Sequence, residues 1–216
     1  MSATSIEAMI NLYQRTDCPF CWKIRLALAE LSVPYEIVNT SLGEVHPEVQ
    51  RLSPTGTVPV LVDGEVVIWE SGVILEYLHT KFPASKLMPV SPAAGAHVRS
   101  LHAYSDKCVG PALRDLVFEK RSRPAELWDT QLIADSEQRW QQCQGYLEAQ
   151  LGSSVFFGGP AYSAADCALA ARCGVAEAYG TGVGGSYPAL LRWYERIKSR
   201  DSWLQAFPRS FIGSRE

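Results

Sequence analysis

Two cysteines bracket a proline and a phenylalanine in the stretch MINLYQRTDCPFCWKIRLALAELSVPYEIV, residues 9 to 38. A strand-like apolar run ends just before Cys18, and a strongly helical segment follows from Pro19 to residue 31. Proline suits the first position of a helix, where its missing N–H costs nothing. A thiol at such a turn lies beside the free N–H groups and positive end of the helix, which favour an anion. Helix-N-terminal cysteines reach pKa values of about 3.5 to 7.5, against about 8.5 for free cysteine, so Cys18 is expected to be largely ionised at neutral pH. Cys21 lies one turn deeper on the same helix face, with fewer free N–H groups aimed at it. Nucleophilic attack therefore belongs to Cys18. Cys21 is either a resolving thiol or a small core filler.

Other chemistries find less support. A CxxC supplies two zinc ligands, but a four-coordinate site needs two more at a comparable spacing. Cys167 and Cys173 are six apart and His97 and His102 five apart, and a five-residue step turns two side chains roughly 140° from each other on a helix. No metal is expected. Gly180-Thr181-Gly182-Val183-Gly184-Gly185 satisfies G-x-G-x-x-G, yet it follows a helical run and leads into Ser186-Tyr187-Pro188. A dinucleotide site needs a strand before it and a helix opening within it, so this stretch reads as a mobile inter-helix loop.

The elements that must hold the Cys18 turn lie on either side of it. Residues 9 to 14 and 35 to 38 read as strands around the helix at 19 to 31, whose apolar side is Ile24, Leu26, Leu28 and Leu31. That is a β-α-β unit with a parallel pair. VPVLV and EVVIW then flank Asp63-Gly64, a strong hairpin signal, and a helix from Ser71 carries Val73, Ile74, Tyr77 and Leu78 at helical spacing. Residues 82 to 92 hold three prolines, after which strand signals vanish. Trp128, Leu132, Trp140, Cys143, Leu147 and Leu151 follow helical steps. Gly110-Pro111 is expected to kink or divide the helix begun near residue 93. Ser163 and Asp166 open a nearly all-apolar helix with a capping-box pattern.

The chain has 216 residues, 47% hydrophobic, with a net charge of −3 from interspersed acids and bases. That composition supports a large core and argues against nucleic acid as a partner. No stretch approaches the roughly 18 apolar residues of a spanning helix, and the N-terminus lacks a signal-peptide pattern, so no membrane is expected and the location reads as cytoplasmic. The six cysteines, one tight pair and four scattered members, are not a disulfide framework.

CPFC at the first β-α turn, followed by T-V-P opening a later strand, resembles the thioredoxin-like fold of glutaredoxins. With Glu70-Ser71 ahead of a helix, the proline-rich linker and the S-x-x-D cap, nearly the whole chain resembles the cytosolic glutathione transferases. Among these it is most similar to the cysteine-type, omega-like members. The resemblance implies an α/β thioredoxin-like domain over 1–82, a linker over 83–92 and an all-α domain over 93–216.

It also implies a glutathione site. Pro19 and Phe20 flank the nucleophile. Pro59 is expected in the cis form, leaving Val58 to pair with the peptide backbone of glutathione. Ser71, as helix cap, and Glu70 would take the γ-glutamyl end, and His46 the glycyl end where relatives carry lysine. Trp22, Tyr104 and Cys108 are candidates for a co-substrate pocket between the domains, although a stripe of this kind also reads as plain core.

The implied chemistry is glutathione-dependent thiol transfer or reduction, as in deglutathionylation or dehydroascorbate-type reduction. A Cys18 thiolate attacks a small disulfide or electrophile, with glutathione as co-substrate. Two alternatives stay open. One is conjugation of glutathione to apolar electrophiles, with Tyr13 or Thr16 donating to its thiolate. The other is a non-catalytic scaffold of the same fold. The family further implies a homodimer.

Overall fold

The computed structural model describes residues 9–82 and 84–211. The N-terminal half runs β1 (Ile10–Gln14), α1 (Pro19–Glu30), β2 (Tyr35–Asn39), α2 (Pro47–Leu52), β3 (Val60–Asp63), β4 (Val66–Trp69) and α3 (Ser71–Lys81). Its sheet has the order β2-β1-β3-β4. β1 pairs parallel with β2, placing Leu12 opposite Ile37, and antiparallel with β3, placing Leu12 opposite Leu61. The parallel pair follows from the α1 crossover, and the β3–β4 hairpin from Gly64, whose φ of 60° suits a tight turn. The short α2, opening at Pro47 after His46, adds a helix that sequence patterning leaves as an irregular connection.

The C-terminal half is helical: α4 (Pro92–Tyr104), α5 (Gly110–Ser122), α6 (Thr130–Leu151), α7 (Ala164–Ala178), α8 (Pro188–Lys198) and α9 (Asp201–Ala206). The expected break near Gly110-Pro111 takes the form of a π-helical turn, Ser105–Val109, joining α4 to α5. Pro111 has no N–H to bond the carbonyl of residue 107, and a wider turn absorbs that gap.

α7 is the buried axis of this half, every residue from Ala164 to Ala176 being buried. Its capping box forms as expected, and Asp166 gathers more than the cap. Its carboxylate accepts from Ser163 N (2.9 Å), Ser163 Oγ (2.7 Å), Phe157 N (2.9 Å) and Trp193 Nε1 (2.8 Å). A buried carboxylate persists only with such complete pairing.

The two halves share a core, because α1 packs on α7 and α9. The fully buried Trp22 lies 4.8 Å from Trp203 and 5.5 Å from Phe207, between ring centroids. Gly174 of α7 supplies the space, since a Cβ there would come within 2.6 Å of Trp22 Cζ3. The glycine-rich stretch at 180–185 is an inter-helix loop, but not a loosely held one. Trp140 Nε1 donates to Thr181 O at 2.8 Å and Gly184 N donates to the Gln144 side chain at 2.8 Å.

Candidate active site

Cys18 occupies the N-cap of α1 with extended backbone (φ −82°, ψ 120°), and Pro19 follows as the first helical residue. The approach to the turn is held from inside the protein. The buried Arg25 donates to Thr16 O at 2.9 Å, to Ala206 O at 3.1 Å and to the Gln14 side chain. Cys18 N closes the loop onto Arg15 O at 3.2 Å.

The thiol of Cys18 is lowered to a pKa of about 6. The largest cause is a hydrogen bond from the Cys21 side chain. Backbone N–H groups of Cys21 and Phe20 and the charge of Arg15 add to it, against burial, which raises the value. Cys21 moves the other way, pushed well above its ordinary value, first by burial and then by its bond to Cys18. At neutral pH the pair is therefore a Cys18 thiolate accepting from a Cys21 thiol.

Cys18, 6% exposed, lies where two cavities meet. The first, of about 480 Å³, runs along the thioredoxin-like half, and Cys18, Phe20, His46, Val58, Pro59, Glu70 and Ser71 all line it. The Val58–Pro59 bond is cis. Glu70, not Ser71, is the N-cap of α3, in a left-handed conformation (φ 68°), and Ser71 is the first helical residue. The positive φ turns the chain sharply into the helix, so the serine expected as cap is carried one position inside. His46 caps α2, and its Nδ1 is buried without a hydrogen-bond partner among the described residues.

The second cavity, of about 360 Å³, lies between the halves. Pro19 lines this cavity and not the first, whereas Arg15, Cys18 and Phe20 line both. Its far wall comes from the π-helical turn, α5 and α7: Asp106, Leu113, Arg114, Val117, Arg172 and Tyr179 among them. Phe20 is a platform with cations at its faces, Arg172 Cζ at 4.5 Å and Lys23 Nζ at 5.0 Å from the ring centroid. Behind it the buried Lys23 donates to Asp106 at 2.7 and 2.8 Å and meets His102 Nε2 at 3.1 Å. Burial, the larger effect, lowers Lys23 to about 8 in spite of Asp106.

Three residues expected at the co-substrate pocket lie elsewhere. Trp22 is sealed in the inter-domain core. Tyr104 stacks on Tyr146 at 4.3 Å, and Cys108 is exposed on the π-helical turn. None of the three lines either cavity. The reasons differ: α7 and α9 cover Trp22 on α1, Tyr104 ends α4 with its ring turned to Tyr146 of α6, and within the wider turn at 105–109 it is Asp106, not Cys108, that lines the cavity. Arg15, Asp106 and Arg172 escape sequence reasoning. Arg15 carries a faint signal, a base three residues ahead of Cys18, while the other two depend on how helices of the second half are laid against α1. Among the described residues no group of three or more His, Cys, Asp or Glu side chains gathers to hold a metal ion, and no helix is long and apolar enough to cross a membrane.

This arrangement has relatives. Residues 12–86 match the family model for the glutathione S-transferase N-terminal domain, and residues 130–196 that for the C-terminal domain. A stringent starvation protein A homolog of Haemophilus influenzae is 30% identical, the alignment covering 95% of this chain and 93% of that protein. The glutathione S-transferase GstB of Escherichia coli is 27% identical over 89% of this chain and 94% of its own length. Among solved structures, a glutathione S-transferase from Rhodospirillum rubrum superimposes with a TM-score of 0.84 at 27% identity, covering 92% of this chain and 91% of that one. With both domain types in order along one chain and relatives matched over nearly their full length, the chain belongs to the glutathione S-transferase family.

Proposed function

We propose that the protein is a glutathione-dependent thiol transferase in which Cys18 is the nucleophile and glutathione occupies the first cavity. The single observation that carries this reading is a thiolate, with its pKa near 6, exposed to two adjoining cavities at once. In the first half-reaction the Cys18 thiolate attacks the glutathione sulfur of a mixed disulfide. A bond forms between Cys18 Sγ and glutathione, the original S–S bond breaks, and the electron pair leaves with the other thiol, which takes a proton from water. In the second, the thiolate of a further glutathione attacks the sulfur bound to Cys18. Oxidised glutathione departs and Cys18 regains its electron pair and charge.

The first cavity suits the tripeptide chemically. The N-terminal end of α3 beside Ser71 can accept a carboxylate and Glu70 an ammonium group, while the unpartnered Nδ1 of His46 is free to bond the other end. Cys21, wholly buried and held as a neutral donor, fits a supporting role better than a resolving one. Conjugation of glutathione to an electrophile is less well supported, because neither Tyr13 nor Thr16 lines either cavity.

The test is a thiol-transfer assay beside a conjugation assay with an aromatic chloride. Cys18→Ser is expected to lose transfer by about a thousandfold or more, as expected for loss of a nucleophile. Cys21→Ser should keep most of it. Conjugation without transfer in the wild type would overturn the proposal. Failure of the wild type to bind immobilised glutathione would favour a non-catalytic scaffold of the same fold.

A further inference from the structure

The second cavity has a charge balance that an apolar co-substrate pocket does not need. Four arginines line it, Arg15, Arg114, Arg121 and Arg172, against two carboxylates, Asp17 and Asp106. Each carboxylate is shared by two cations. Asp17 pairs with Arg15 at 2.6 Å and with Arg121, and Asp106 pairs with Lys23 at 2.7 Å and with Arg172 at 3.3 Å. Neither aspartate can neutralise both partners, and the single Cys18 thiolate in the lining cannot cancel both excesses, so with Arg114 the cavity keeps a net positive charge.

Two donors are left with unmet capacity. Arg114 is exposed, has no carboxylate partner among the described residues, and lies with its guanidinium carbon 6.0 Å from the Phe118 ring. Arg172 is only 7% exposed, and its Nε is buried without a hydrogen-bond partner among the described residues. A buried unsatisfied N–H is costly and calls for an acceptor. The same cavity is also lined by the apolar side chains of Pro111, Leu113, Val117, Phe118 and Val175.

We propose that this cavity selects co-substrates with an aromatic or apolar body that carries an anionic group such as a carboxylate, with Arg114 and Arg172 reading the charge. The proposal rests on the reading that the two cavities hold two reactants, and it names the chemical class of the second. A neutral apolar body without an acceptor would fill the apolar wall and leave Arg172 unsatisfied, and a neutral acceptor would make a weaker bond to it than an anion. A cation would meet the excess of arginines. An anion on an aromatic frame satisfies both wall and donors, and the positive field would draw it toward the cavity mouth.

The test uses ligands that cannot react with a thiol, so that its outcome is independent of whether Cys18 transfers anything. Calorimetric titration of the full chain with naphthalene-2-carboxylate and with the neutral isostere naphthalene-2-carboxamide should show the carboxylate bound about tenfold more tightly, the size of one charge-assisted hydrogen bond. Added salt should shrink that ratio through screening. In Arg114→Ala, an exposed helical site where alanine is well tolerated, the ratio should fall several-fold, and Arg114→Lys should restore most of it. Equal binding of the two ligands by the wild type, no binding of either, or an unchanged ratio in Arg114→Ala would overturn the proposal. Arg172→Gln removes a buried ion-pair partner and is the less secure variant, so Arg114 decides the outcome. If the preference is found and thiol transfer is not, the proposed function alone fails.

Discussion

At the scale of single residues, the reactivity of this protein is a division of labour between two sulfurs of one helical turn. The hydrogen bond from Cys21 is the largest influence lowering Cys18, and the burial that keeps Cys21 protonated is what makes it a donor. The rate of alkylation of Cys18 should therefore rise with pH around a midpoint near 6. The sign follows from the charge: the thiolate is the reactive form, so reactivity grows as the proton leaves and is lost as pH falls below that value. In Cys21→Ala the donor disappears while the burial remains, and the midpoint should climb by roughly one pH unit or more. A midpoint unmoved in that variant would transfer the credit to the backbone N–H groups and Arg15. The position of Cys18 at the turn was legible in CPFC because proline and cysteine report local geometry. The state of Cys21 was not, because it depends on being covered by the rest of the fold.

At the scale of elements, α1 is the piece on which both halves are hung. One face carries the sheet core, and Trp22, Lys23 and Arg25 are buried by partners far away in sequence: Trp203, Asp106 and the carbonyl of Ala206. The contact with α7 is set by a missing side chain. A methyl at residue 174 would lie 2.6 Å from Trp22 Cζ3, 2.8 Å from Trp203 Cη2, and closer still to Trp22 Cη2. Both indoles are buried, with little room to retreat, so overpacking of this kind should cost about 3 kcal/mol. Gly174→Ala is accordingly expected to lower the melting temperature by roughly 10 °C, which a calorimetric scan would measure. A near-neutral effect would mean that the inter-helix contact adapts more readily than its packing suggests. Helical patterning foretold α7 and its Ser163–Asp166 cap, because a capping box is a local device. It did not foretell the π-helical turn as such, only that Gly110-Pro111 would disturb the helix, so the outward placement of Cys108 on that turn was not legible.

At the scale of the whole molecule, the halves are joined through a shared apolar seam rather than resting side by side. Trp22, Trp203 and Phe207 stack across it, and Glu30 of α1 holds Arg200 through two bonds of 2.6 Å. The second cavity exists only because the seam sets α5 and α7 against the Cys18 turn. Unfolding should consequently be cooperative, with tryptophan fluorescence and far-ultraviolet circular dichroism giving the same transition midpoint. Two separated transitions would show that the halves are stable alone.

The amino-acid sequence by itself determined what local geometry can encode: the β-α-β unit and hairpin, the cysteine at a helix start, the proline ahead of β3, the acid-serine pair at the start of α3 and the capped buried helix. Each is written in residues a few positions apart, where backbone preference and side-chain period act directly. Tertiary structure alone decided which side chains form the second cavity, that every carboxylate in it is shared by two cations, and that Trp22 is walled in. Those outcomes depend on residues far apart in the chain, such as Lys23 with Asp106 across 83 positions and Asp106 with Arg172 across 66. No periodicity within one segment can carry them, because they depend on the angles at which separate helices come to rest on one another.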